Sequence, residues 1–288
     1  MRRLLTALAL SCLTTPCLAT LSPESAAKNQ PVVPFRIVGD LYYVGASDVA
    51  SYLVVTPQGM ILLDGGFAET VPQIEKNIAT LGFKLTDVKI LLNGHAHPDH
   101  AGGLAQLKRD SGAKLYAMDR EVDPLEHEGR GTFYRGDRKL FESIPVDRVL
   151  HDGDTVSLGG MTLTAHLTAG HTPGCTTWSM HLVDHGRPHD VVVLCQLTLP
   201  GEPTLVGDPD YPGIPADFAR SFALLKTLPC DVFLSEHGSV FNLIDKVKRL
   251  QAGDADAFVD PAGYKRYLAQ AEHDFETKLA AERKAAAH

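Results

Sequence analysis

From Phe35 to Leu63 apolar residues come in short runs separated by turn formers: Phe35-Arg-Ile-Val38, Leu41-Tyr-Tyr-Val44, Ser51-Tyr-Leu-Val-Val55 and Met60-Ile-Leu-Leu63. Their β-branched and aromatic content, with breaks at Gly45 to Ala50 and Pro57-Gln-Gly59, predicts an antiparallel meander. The last run stops at Asp64-Gly-Gly66. There the period changes, because Val71, Ile74, Ile78 and Leu81 recur at helical spacing and predict a helix over 70–81. Val88 to Leu92 returns as a buried strand, 101–111 reads as a helix and Lys114 to Ala117 as the next strand. Residues 119–140 are polar, charged and rich in Gly, which predicts a surface excursion. Short strands resume at 148–150, 154–158, 161–167, 176–182 and 191–194. Phe218, Phe222 and Leu225 mark a helix within 216–228, a strand follows at 231–234, and 262–287 reads as a charged amphipathic helix. Two rounds of strands with helices predict an α/β (α+β) four-layer sandwich, two sheets face to face with helices outside. Composition alone does not exclude an ordinary doubly wound sheet.

The amino terminus stands apart from this pattern. Met1-Arg-Arg3 is positive, Leu4 to Leu13 apolar, and Cys17-Leu-Ala19 offers a small-residue cleavage site, so 1–19 reads as a signal peptide and 20–288 as a single catalytic domain. The apolar run is shorter than the roughly 20 residues a membrane-spanning helix needs. Export to the periplasm is the expectation. Cleavage would leave 25 Lys+Arg against 35 Asp+Glu, moving the net charge from −8 to about −10, a balance that argues against nucleic acid or an anionic membrane as partner. Cys175, Cys195 and Cys230 remain, an odd number that allows at most one internal disulfide.

Candidate chemistry concentrates in Asn93-Gly-His-Ala-His-Pro-Asp-His-Ala-Gly-Gly103, where His95, His97, Asp99 and His100 fall within six residues. No regular helix or strand can turn all four toward one ion, so a loop that divides them between two metals is expected. His171, in Ala169-Gly-His-Thr-Pro-Gly174, and His237, in Ser235-Glu-His-Gly238, also sit in glycine-containing turns after β-runs. Strand ends can converge on one sheet edge. Imidazole and carboxylate donors suit zinc, and a catalytic zinc keeps three protein ligands and one open position.

His-x-His-x-Asp-His followed by two isolated histidines resembles the metallo-β-lactamase fold over almost the whole mature chain. Leu41-Tyr-Tyr-Val-Gly45, Pro57-Gln-Gly59, Asp64-Gly-Gly-Phe-Ala-Glu-Thr70, Gly170-His-Thr-Pro-Gly-Cys-Thr-Thr-Trp178 and Leu228-Pro-Cys-Asp-Val232 are similar to subclass B3 of that family. The resemblance implies an αβ/βα sandwich of two mixed sheets holding two Zn2+ per chain. His95, His97 and His171 would take the first zinc, and Asp99, His100 and His237 the second. It also implies hydrolysis of the β-lactam amide bond of penicillins, cephalosporins and carbapenems by a zinc-bound hydroxide that Asp99 orients, and hence antibiotic resistance. The alternative is another hydrolase of the same fold, a lactonase or a glyoxalase II-like thioesterase. Asp64 is expected behind the ligands, accepting a hydrogen bond that fixes one of them or the loop backbone. Gln196 and Thr198 stand where such enzymes show substrate-anchoring serines, so both are expected as weak substrate contacts. With His100 completing the second set, Cys195 is expected as a buried strand-end thiol and not as the zinc-binding cysteine that other subclasses place near this point, and a Cys175–Cys195 bond is left open. Trp178 is expected in the core.

Overall fold

Seven strands form the first sheet in sequence order: β1 (Phe35–Val38), β2 (Leu41–Tyr43), β3 (Tyr52–Thr56), β4 (Gly59–Leu63), β5 (Val88–Leu92), β6 (Lys114–Met118) and β7 (Arg148–Leu150). The computed structural model describes residues 21–131, 137–199 and 204–287. The expected signal peptide at 1–19 lies outside them. Pairing is antiparallel from β1 to β4 and parallel from β4 to β7. In the second sheet β8 (Thr155–Leu158), β9 (Met161–Leu167), β10 (Thr176–Asp184) and β11 (Arg187–Leu194) are antiparallel, and β12 (Val232–Ser235) adds parallel to β11. The helices are α1 (Pro23–Lys28), α2 (Val71–Thr80), α3 (Pro98–Ala101), α4 (Leu104–Ser111), α5 (Asp119–Glu126), α6 (Ile214–Leu225), α7 (Leu243–Gln251) and α8 (Pro261–Ala286).

The period-2 alternation of the strands sorts side chains into two cores. On β4, Ile61 and Leu63 join the inner cluster between the sheets with Trp178 and Met180, whereas Met60 and Leu62 face Ile74, Ile78, Leu104 and Leu107 of α2 and α4. β11 and β12 lack alternation because both faces are covered: Val191, Val192, Val193, Val232, Phe233 and Leu234 are all buried, in a cluster that continues past this sheet to Phe218, Phe222 and Tyr264 of the helices outside it. Phe218, Phe222 and Phe275 stack beyond that sheet, and Phe233 meets Tyr264 of α8 at 5.4 Å between centroids. The result is two mixed sheets face to face with helices outside, the expected sandwich, with Trp178 in its core.

Two expectations need correction. The segment 119–140, expected as a surface excursion, opens with α5, which buries Glu121 and Leu125. An eight-residue charged helix that buries only two side chains carries too few apolar positions to register as a period. Cys195 is not a free thiol but is disulfide-bonded to Cys175. The β10–β11 register sets Trp178 opposite Val193, and the chain just outside that ladder brings the two cysteines to 5.9 Å between Cα atoms, inside the normal range. Cys230 remains free, and burial pushes its thiol up to about 12.

Several contacts hold the strand ends where function will need them. The Asp64-Gly65-Gly66 turn after β4 lies flush against Gly102-Gly103, so close that a Cβ on Gly103 would sit 2.2 Å from the Gly65 carbonyl. Tyr52 donates across the inter-sheet space to the Ser235 carbonyl. Ala50 N donates to the Glu236 carbonyl at 2.9 Å and Gly238 N to the Asp48 carbonyl at 2.6 Å, which pins the chain after β12 to the loop after β2. Glu121 latches two loops together: it accepts from Ala96 N at 2.7 Å, from Gly174 N at 2.9 Å and from the Thr172 hydroxyl. Burial pushes its carboxyl up to about 7, against the pull of those three donors.

Cys175→Ser removes a cross-link between residues 20 apart and should lower the unfolding free energy by about 3 kcal/mol. Guanidinium denaturation with and without reductant measures this, and coincident midpoints would show that the bond braces nothing. Glu121→Gln must turn an NH2 group toward the Ala96 N–H and should cost about 2 kcal/mol. The folded protein keeps the Glu121 proton to about pH 7, the unfolded chain only to about 4.3. Protonation of this group therefore favours the fold at low pH, and that contribution falls as pH rises through the window. Urea unfolding from pH 4.5 to 7.5 should show the variant losing that slope relative to the parent.

Candidate metal centre

β5 ends at Leu92, and the next eight residues carry four of the expected ligands. Asn93 shapes the first bend by donating from its side chain to the His95 carbonyl at 2.9 Å. Pro98 then starts the four-residue helix α3 at a position where its missing N–H costs nothing, which swings Asp99 and His100 away from His95 and His97. His171 arrives from the loop between β9 and β10, and His237 from the end of β12.

All six expected ligands meet in two sets. His95 Nε2 lies 2.9 Å from His97 Nδ1, which lies 3.2 Å from His171 Nε2. His100 Nε2 is 3.3 Å from His237 Nε2, and Asp99 Oδ2 is 3.5 Å and 3.6 Å from those two nitrogens. In each set the ligand atoms all fall within 4.8 Å of one another. Four-coordinate zinc with bonds of about 2.0–2.1 Å holds its ligand atoms about 3.3 Å apart, so both sets fit that ion. The histidines are buried, whereas Asp99 is a quarter exposed and marks the solvent side.

Three histidines present their other ring nitrogen to a fixed acceptor. His171 Nδ1 is 2.5 Å from the Thr198 carbonyl, His237 Nδ1 is 3.1 Å from Asp48 Oδ2, and His100 Nδ1 faces Asp64 Oδ2 at 3.4 Å. Asp64 thus reaches a ligand, and it also holds the loop backbone by accepting from Gly94 N at 2.8 Å. Such acceptors fix the tautomer, leaving the inward nitrogen bare for a metal. His95 Nδ1 has Glu236 Oε2 at 3.0 Å, poorly aligned for a hydrogen bond, and the Cys195 sulfur at 3.8 Å.

Charge in the site favours cations. Burial opposes charge on Asp99, yet His100 and His237 hold its carboxyl below the usual range. Burial likewise opposes charge on His100, but Asp99, Glu236 and Asp64 push it up to about 10. Burial lowers His95, assisted by the neighbouring imidazoles, and takes His171 down to about 4 despite the Thr198 carbonyl. For Asp48, the His237 and Ser239 contacts outweigh burial and keep it ionised. Carboxylates that hold a proton on His100 without metal offer the same charge compensation to a divalent ion.

Gln196 and Thr198 lie on the chain leaving β11, Gln196 half-buried and Thr198 exposed. The Thr198 hydroxyl donates to the Gln196 side chain at 3.0 Å while the Thr198 carbonyl serves His171. Sequence reasoning did not single out Asp48, Glu121 or Glu236. Glu236 adjoins His237 and could have been suspected on that ground. Asp48 and Glu121 carry no local signal, being 189 and 51 residues from His237 and Thr172, their partners.

Comparison with known proteins follows the same lines. The family model of the metallo-beta-lactamase superfamily matches residues 44–237. Native FEZ-1 metallo-beta-lactamase from Legionella gormanii is 44% identical, with a TM-score of 0.87 over 88% of this chain and 98% of that one. The class B3 di-zinc metallo-beta-lactamase LRA-12 from an Alaskan soil metagenome is 35% identical, with a TM-score of 0.85 over 91% and 98%. Curated relatives match over shorter stretches, and the chain spans about a third or less of their length. Hydroxyacylglutathione hydrolase from Hyphomonas neptunium is 35% identical over 82 residues, 28% of this chain and 25% of that protein. With a family match that runs from the end of β2 to His237, and with solved B3 enzymes superposing over nearly their whole length, this chain belongs to the metallo-beta-lactamase superfamily.

Proposed function

We propose that the mature chain, a single domain from residue 20 to 288, is a periplasmic dizinc β-lactamase that opens the amide bond of penicillins, cephalosporins and carbapenems and so confers antibiotic resistance. The observation that carries this reading is the pair of adjacent three-ligand sets, His95, His97, His171 and Asp99, His100, His237. They lie in a chain whose likeness to FEZ-1 metallo-beta-lactamase covers 88% of its length. Three ligands per ion leave an open coordination position, unlike the closed four-ligand sets of structural zinc.

Bound zinc would supply Lewis acidity and a water made acidic near neutral pH. The chain's own residues supply the rest. Asp99, ionised and on the solvent side of the centre, orients the attacking water and can accept a proton from it. Asp48 and the Thr198 carbonyl hold the His237 and His171 imidazoles in the ligating tautomer, and Asp64 Oδ2 faces His100 Nδ1 at 3.4 Å. Thr198 and Gln196, on the chain that also steers His171, are the weak substrate contacts of this reading, the Thr198 hydroxyl exchanging its bond to the Gln196 side chain for one to a substrate carboxylate. Export rests on Met1 to Ala19, and no helix among the described residues is long and apolar enough to cross a membrane.

Purified mature protein should carry two zinc ions, hydrolyse a chromogenic cephalosporin and a carbapenem, and stop when the metal is chelated. Run beside a homoserine lactone and a glutathione thioester, the lactams should be turned over fastest. Full zinc loading with no lactam turnover would sink the reading, and a faster lactone or thioester would replace it with the corresponding hydrolase. Asp99→Ala should lower kcat by about 10²-fold or more. Asp48→Ala should weaken one of two metal-binding steps about 10–100-fold, as read by chelator competition, and an unchanged titration would refute that role.

A further inference from the structure

The carbonyl of Glu236 helps pin the chain after β12, but no step of the proposed chemistry uses its side chain. Its side chain is 3% exposed, lies behind both ligand sets, and has no hydrogen bond of normal geometry to either carboxylate oxygen. Oε2 is 3.0 Å from His95 Nδ1, and Glu236 shares a cluster of potential ligand atoms with His95 and His100. The chain makes room for it at Gly94: a Cβ there would stand 1.6 Å from Glu236 Oε1. Gly94 is not among the glycines in the left-handed region, so its backbone does not require glycine. Space for the carboxylate does.

A buried carboxyl with no hydrogen-bond partner of normal geometry becomes charged only where a cation or a donor compensates it. The arrangement of the other histidines indicates which donor is meant. His100, His171 and His237 each face an acceptor on the side away from their ligand set. A metal on His95 Nε2 requires the proton on Nδ1, and Glu236 is the carboxylate that faces it. The misalignment is no obstacle, because such hydrogen bonds are often loose before the site is filled.

We propose that Glu236 is a positioning residue for the first metal: it accepts the His95 Nδ1–H and adds one negative charge beside an otherwise neutral three-histidine set, with Gly94 as the clearance that admits it. This rests on the dizinc reading above. Glu236 thereby does for the first set what Asp48 and Asp64 do for the second.

The test is a zinc titration of metal-free protein against a competing chelator, resolved into two steps. It compares the parent with Glu236→Gln, Glu236→Ala, Gly94→Ala and the Gly94→Ala/Glu236→Ala pair, with Asp48→Ala as the reference for the second site. Glu236→Gln should weaken one step about 10–100-fold, the step that Asp48→Ala leaves alone. Its metal-free form should melt no lower than the parent, since the carboxyl it replaces has no hydrogen-bond partner of normal geometry to lose. A merely structural glutamate would lower both readouts together. Gly94→Ala should reproduce the loss of affinity, and adding it to Glu236→Ala should cost nothing more. If the parent binds two ions and Glu236→Gln binds them as tightly, or if the Gly94→Ala and Glu236→Ala losses add, the inference is wrong and the dizinc reading stands. A parent that does not bind two ions overturns both.

Discussion

A metal-binding imidazole must present one nitrogen bare and keep its proton on the other, and much of this structure serves that demand. The acceptors come from places far apart in the chain: Asp64 from the end of β4, Asp48 from the loop after β2, and the Thr198 carbonyl from the chain leaving β11. Each lies at one edge of the sandwich, where strands of both sheets stop. That common edge lets side chains tens to hundreds of residues apart act on one another at hydrogen-bonding distance.

The same edge concentrates acidic side chains. Asp48, Asp64, Asp99 and Glu236 surround the ligand nitrogens, and all but Asp99 and Asp48 are essentially inaccessible. Holding them together without cations is unfavourable, so the scaffold has to be stiff. The Cys175–Cys195 bond closes the second sheet at His95, Glu121 ties the His95–His97 bend to the loop after His171, and Tyr52 ties the first sheet to the turn that bears His237. Close contact between Gly65 and Gly103 locks α4 to the end of β4. These contacts sit on the scaffold rather than on the ligands, and they are where stability and site geometry become one property.

The sandwich was legible because it depends on patterns short enough to read locally. Alternation on β4, and the switch to helical spacing at Val71, follow from which face of each element meets an apolar neighbour. Where few apolar side chains are buried, the pattern fails. α5 buries Glu121 and Leu125, α7 buries Leu243 and Lys246, and neither helix announced itself. Cys195 illustrates a different limit: its position at a strand end was readable, but its bond to Cys175 depends on the β10–β11 register, which places the two Cα atoms 5.9 Å apart.

By itself the sequence determined where the candidate ligand loop lies, since four side chains of metal-ligand type within six residues constrain one another through the backbone that joins them. It also marked His171 and His237 as strand-end histidines. Only the tertiary structure decided which nitrogen of each ring faces inward, which carboxylates stand behind them, and that Glu236 fills the space left by Gly94. The reason is physical. Ligand type is a property of a residue, whereas tautomer, charge compensation and clearance belong to pairs of residues, here as far apart as Asp48 and His237, that meet only when both sheets end on the same edge.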